Sequence, residues 1–214
     1  MLFCFFFVSL ADMSGFLYIF ATMKLVVITR PDFYEGETDI CNKLFVSGMQ
    51  SLHLRKPGAS REQLVEWIEG IEPLFRKRII LHDHHDLALQ YGLGGIHLNG
   101  RNPNVPGWLD RKLLSLSCSC HAIAEVEACQ KGFDYVFLSP IFDSISKQGY
   151  KSCFSKEELG EAKRRGILYN VYALGGITFE NLEEVKDMGF CGAAMLGGFW
   201  RAPNSLWGEQ LAKL

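Results

Sequence analysis

From Met23 onward the chain repeats one pattern eight times: a short apolar or β-branched run, a polar turn, then in most units a stretch at helical spacing. The runs are "LVVITR" (25–30), "SLHLRK" (51–56), "IILHD" (79–83), "GIHLN" (95–99), "LLSLSCS" (113–119), "YVFLSP" (135–140), "ILYNVYAL" (167–174) and "GAAML" (192–196). Strict alternation of this kind implies a parallel sheet. Eight units of roughly 24 residues predict a closed barrel, because helices then cover the whole outside. The fourth run is followed only by an irregular piece around Trp108. Ser60 with Gln63, and Ser155 with Glu158, have capping-box spacing. Gly132, Gly166 and Gly189 are expected to end helices in left-handed turns. The fold class is therefore α/β, a single (β/α)8 TIM barrel over residues 23–214. The alternative, an open doubly wound sheet, calls for a glycine-rich dinucleotide loop after the first strand, and "TRPDFYEGE" is not one.

Residues 1–22 do not share the pattern. They carry one charge, Asp12, and six phenylalanines, with no positive leading region and a break at "ADMSG". That makes a poor signal peptide and a poor membrane span. They read as an extension outside the native fold, with a cleaner start at Met23. A formal charge of −2, with both signs interspersed, leaves no footprint for nucleic acid. Seven cysteines without a CxxC pair read as reduced thiols in a cytoplasmic protein. No membrane partner is expected, and the sequence leaves room for a homo-oligomer.

In a barrel, chemistry gathers where strands end. Two glycine pairs lie there in consecutive units, Gly175–Gly176 and Gly197–Gly198. Loops after the seventh and eighth strands of such barrels often cradle a phosphate. Glycine lets backbone N–H groups approach the anion, and the next helix adds its positive end. The plain alternative is a pair of tight strand–helix turns. Arg55 shares parity with His53 and offers a guanidinium for an anion, whereas Lys56 points the other way. Lys147, in the loop "SPIFDSISKQGY", is a second cation over the mouth. Asp83 reads equally as a Mg²⁺ ligand or as a first-turn helix charge. His84 and His85 are adjacent and diverge, which weakens a metal reading of "LHDHHDLAL". His121, ending "SCSCH" beside hydroxyls, is the best general acid/base candidate.

The stretches "LHLRK", "ILHDHHDLAL", "GIHLNGRN", "LSCSCH", "FDYVFLSPIFDSISK", "ALGGIT" and "GFCGAAMLGG" resemble, in order and spacing, the thiamin phosphate synthase and TenI superfamily. The resemblance implies a phosphate-binding barrel acting on the thiazole half of thiamin. Two activities occur in that superfamily. The synthase joins a pyrimidine diphosphate to a thiazole phosphate and uses Mg²⁺ on two aspartates. The TenI-like tautomerase moves a proton to aromatise a thiazole carboxylate phosphate and needs no metal. Carried over by position, the second-strand motif Q-x-R-x-K falls on His53, Arg55 and Pro57, with Lys56 displaced. The third-strand N-D falls on His82 and Asp83; the second metal aspartate falls on Asn102. T-x-T-K falls on Ser144, Ser146 and Lys147, and the last-strand serine on Gly197. Ser119 would line the pyrimidine pocket of a synthase. Stabilising a departing diphosphate needs several compensating charges, and this sequence has lost one carboxylate and one lysine. The expectation is therefore a tautomerase without cofactor, with the Mg²⁺-dependent synthase as the alternative. A barrel that binds thiazole phosphate without turnover is a third reading.

Overall fold

The computed structural model describes residues 23–143 and 153–211. The proposed extension 1–22 and the loop residues Ser144, Ser146 and Lys147 lie outside them. Eight parallel strands close into one barrel in chain order: β1 (Lys24–Ile28), β2 (Ser51–Leu54), β3 (Ile79–Leu81), β4 (Gly95–Leu98), β5 (Ser115–Cys120), β6 (Tyr135–Leu138), β7 (Val171–Leu174) and β8 (Gly192–Met195). Closure is made by β1 and β8, with Val26 opposite Ala194.

Helices α1 (Glu37–Val46), α2 (Arg61–Glu69), α3 (Asp86–Gln90), α4 (Ile123–Cys129), α5 (Lys156–Arg164) and α6 (Leu182–Asp187) follow β1, β2, β3, β5, β6 and β7. Two short helices, α7 (Gly197–Trp200) and α8 (Asn204–Leu211), follow β8. After β4 the described chain has turns and a two-residue bridge, Asn99 with Asn102, in place of a helix. Both capping boxes form: the Ser60 and Ser155 hydroxyls accept from the backbone N–H three residues on, and Gln63 and Glu158 reach back. Gly166 and Gly189 adopt positive φ as expected, at 70° and 94°. Gly132 does not; its N–H closes a tight turn onto the Cys129 carbonyl instead. β7 is shorter than its apolar run because Ile167–Asn170 forms a 3₁₀ turn ahead of it.

Alternation along each strand sends one set of side chains outward against the helices and the other into the barrel. The outward set joins the helix faces in one large apolar shell that includes Leu25, Leu52, Ile79, Val136 and Phe199. The interior is divided. Val26, Ile28, Phe137, Tyr172 and Ala194 form an apolar cluster on the β1, β6, β7 and β8 side. His53, His97 and Ser117 fill the β2, β4 and β5 side, all fully buried. Cys41, Cys118, Cys120, Cys129 and Cys191 form no disulfide.

Outside the barrel, Lys56 reaches beneath the β1 loop to Glu37 at the start of α1, and its Nζ also donates to the Asp32 carbonyl at 2.7 Å. Burial lowers the lysine and raises the carboxylate from their ordinary ranges, while each partner opposes the other's shift. Trp67 Nε1–H donates to the same carboxylate at 3.0 Å. No described helix is long and apolar enough to cross a membrane.

Candidate active site

A cavity of about 410 Å³ opens at the carboxyl ends of the strands. Most of the residues singled out at strand ends meet there: Arg55, His82, Ser119, His121 and all four glycines line it. Lys56 does not, because alternation turns it out of the barrel to Glu37. His53, expected beside Arg55 as a substrate contact, is also absent from the lining. It has the expected inward parity but lies two residues lower, completely buried beneath the floor.

The rim on the β7–β8 side is backbone. Gly175 and Gly176 have φ of 95° and 65°. A Cβ at Gly176 would meet the Asp143 carbonyl at 2.5 Å, and one at Gly198 would meet the Ile177 carbonyl at 2.1 Å. The glycines therefore serve close turn packing whatever they bind, so the plain reading of them holds at least in part. Gly197 and Gly198 open α7, so their N–H groups have no acceptor within that helix.

The rim on the β2–β4 side is ionic. Arg101 donates to both oxygens of Asp83, at 2.9 Å and 3.1 Å from Nη2, and Asn102 Nδ2 donates to Oδ1 at 2.8 Å. Sequence reading named Asp83 and Asn102 but not Arg101, whose partner lies 18 residues away with no periodicity to announce it. Arg55 is half-buried nearby; burial and the Arg101 charge lower its pKa, opposed by Asp83. This donor set suits Mg²⁺ poorly. Its one carboxylate is already balanced by a guanidinium, and the residue at the second aspartate position turns an N–H, not an oxygen, toward it.

His121 lies at the end of β5. Its Nδ1–H donates to the Ser139 carbonyl at 3.0 Å, which fixes the tautomer and leaves Nε2 as the basic nitrogen. The neighbours His84 and His85 diverge as expected, one facing the Ala59 carbonyl and the other the His82 carbonyl. His84 occupies the left-handed region at φ 51°.

Below the floor, His53 Nδ1 lies 2.9 Å from His82 Nε2, and His53 Nε2 lies 2.7 Å from the Tyr135 hydroxyl. His97 is held between Ser117 Oγ at 2.8 Å and Ser119 Oγ at 2.9 Å. Burial drives His53 and His82 well below the ordinary imidazole range, with His97 adding to both, and pushes His97 down to about 3. All three rings are neutral at physiological pH. Nothing in the sequence around Tyr135 marks it as a partner of His53.

Comparison with known proteins follows this geometry. The family model described as thiamine monophosphate synthase matches residues 25–199. A thiamine-phosphate synthase of Chlorobium limicola is 30% identical over 173 residues, covering 77% of this chain and 81% of that protein. One from Listeria welshimeri is 29% identical over 198 residues, covering 87% and 92%. The crystal structure of a thiamine phosphate pyrophosphorylase from Bacteroides thetaiotaomicron superposes with a TM-score of 0.77 at 39% identity, covering 89% of this chain and 95% of that one.

Proposed function

This chain belongs to the thiamine monophosphate synthase family, an enzyme family of thiamin biosynthesis, and we propose that its own reaction is a metal-independent proton transfer on a thiazole phosphate. The observation that carries this reading is the pairing of Asp83 with Arg101 and Asn102, which commits the carboxylate a Mg²⁺–diphosphate would need. Lys56, a further cation near the mouth, is committed to Glu37.

The turns at Gly175–Gly176 and Gly197–Gly198 hold the monophosphate on backbone N–H groups. Arg55 meets the substrate carboxylate, with Lys147 of the β6 loop as a second cation. His121 Nε2, free as an acceptor because Nδ1 is engaged, takes the ring proton. Arg55 stays charged even with its pKa lowered, since guanidinium starts far above neutral pH.

The second reading is the synthase itself, and a specific observation favours it: the relatives described above carry that name at 30% and 39% identity. It requires Asp83 to exchange Arg101 for Mg²⁺ when the diphosphate arrives. Supplying the chain with a thiazole carboxylate phosphate, and separately with pyrimidine diphosphate plus thiazole phosphate, with and without Mg²⁺, separates the two. Isomerisation without metal, lost in His121→Ala, supports the first. Mg²⁺-dependent pyrophosphate release abolished by Asp83→Ala replaces it with the second.

A further inference from the structure

We propose that Cys118, Cys120 and Cys129 form a zinc site on the outer face of the barrel, where a single Zn²⁺ ion would clamp β5 to α4. The site is separate from the pocket and does not depend on which reaction the pocket performs.

Strand and helix periodicity build it. Alternate residues of β5 point opposite ways: Ser117 and Ser119 bond His97 inside the barrel, so Cys118 and Cys120 project outward. α4 packs over that outer face. Ile123, Val126 and Cys129 recur along it at helical spacing, with Val126 fully buried and the other two packed against the apolar shell. The helix thus brings the third thiol down onto the first two, and the three sulfurs all lie within 4.8 Å of one another. Zinc–sulfur bonds of about 2.3 Å around a tetrahedron set the sulfurs about 3.8 Å apart, so small side-chain rotations suffice to enclose an ion. Packing alone asks only for small apolar side chains here, and one cysteine would serve as such. Three sulfurs converging from two elements exceed that need.

The donor set selects the metal. Cys118 stands opposite Leu98 and Val136 in the sheet, and Cys120 opposite Leu138. These neighbours bring no side-chain oxygen, which hard cations such as Mg²⁺ and Ca²⁺ require, whereas thiolates suit soft ions. Glu125 of α4 is exposed and accepts the His121 N–H at 2.6 Å. Cys118 and Cys120 are buried and Cys129 is half-buried, which gives the ion an approach from solvent and a place for water as its fourth ligand. Each sulfur releases its proton to solvent as it binds. Three thiolates and Zn²⁺ then sum to one negative charge, whereas a monovalent ion would leave two in an apolar shell. The three histidines beneath the pocket floor lie equally close together. Both ring nitrogens of His53 and of His97 already face hydrogen-bond partners, so an ion there would have to displace them.

The clamp spans the turn that carries His121, which follows Cys120 directly. An ion tying Cys118 and Cys120 to Cys129 would hold that turn from the strand and from the far end of the helix.

The test titrates Co²⁺, which replaces zinc in thiolate sites and reports on them by absorption, into the reduced full chain without oxygen. Wild type is expected to take a single equivalent with a sulfur-to-cobalt charge-transfer band, which cobalt on histidine or carboxylate does not give, and to release it to Zn²⁺. Cys129→Ser, at the least buried of the three, is expected to bind at least about a hundredfold more weakly, as loss of a direct ligand should cost at least what loss of its supporting partner does. Zn²⁺ should raise the melting temperature of wild type and not of this variant. Cys191→Ser, outside the cluster, should match wild type. Cys120→Ala supplies a second reading should Cys129→Ser fail to fold. A wild type without the charge-transfer band, or an affinity unchanged in Cys129→Ser and Cys120→Ala, overturns the site and leaves the proton-transfer reading intact.

Discussion

Lys56 and Glu37 face each other with Nζ at 2.6 Å and 2.7 Å from the two carboxylate oxygens, and both side chains are closed to solvent. The pair ties the end of β2 to the start of α1. Removing one partner strands the other's charge in the interior, which costs about 3–5 kcal/mol. Lys56→Met should therefore unfold at markedly lower urea, and Lys56→Met with Glu37→Leu should recover most of that loss. A single variant as stable as wild type would show the pair to be solvated.

Asp83 is expected to behave as the counter-charge of Arg101. Asp83→Asn should leave metal-free isomerisation within about tenfold of wild type, since no reacting atom meets the carboxylate. Steady-state rates with and without Mg²⁺ check this, and a metal-dependent collapse would favour the synthase.

His121→Ala should lower isomerisation by about a hundredfold or more, the usual worth of a positioned acid/base. Affinity for the thiazole phosphate, measured calorimetrically, should stay close to wild type. Loss of affinity in place of rate would make His121 a binding residue.

Gly198→Ala places a methyl 2.1 Å from the Ile177 carbonyl oxygen, so the β7 and β8 turns have to separate. Overpacking of this kind costs about 1–3 kcal/mol. The melting temperature should fall, and so should affinity for inorganic phosphate, as read by competition with substrate.

The three buried histidines set an acid limit. Their folded pKa values lie below the unfolded value of 6.5, so below that pH the unfolded chain binds more protons than the folded one. Stability is complete above about pH 6.5 and is lost as pH falls toward the folded values, by up to about 1.4 kcal/mol per pH unit for each ring. Urea midpoints at pH 7 and pH 5 measure this, and Tyr135→Phe should keep the slope.

The barrel was legible because burial and alternation act over a few residues at a time, and each strand run carries its own signal. The turning-away of Lys56 followed from the same alternation. Depth was harder to read. His53 and Arg55 share parity, but a strand rises about 3.3 Å per residue, so His53 sits roughly 6.6 Å deeper, under the floor and not in the wall. Arg101 was out of reach for a different reason. Its meeting with Asp83 is made by the β4 loop folding back, with Asn99 and Asn102 bonded to the His82 carbonyl, and nothing local encodes that.

The mouth of this barrel is made of two materials. On the β7–β8 side it is bare main chain, wedged so tightly at Gly176 and Gly198 that no larger residue fits without displacing a neighbour. On the β2–β5 side it is built of Arg55, His82, Arg101 and Ser119. Evolution can exchange the second set one codon at a time and can hardly touch the first. New specificities on this scaffold should therefore arise on one half of the rim only, with the main-chain half carried along unchanged.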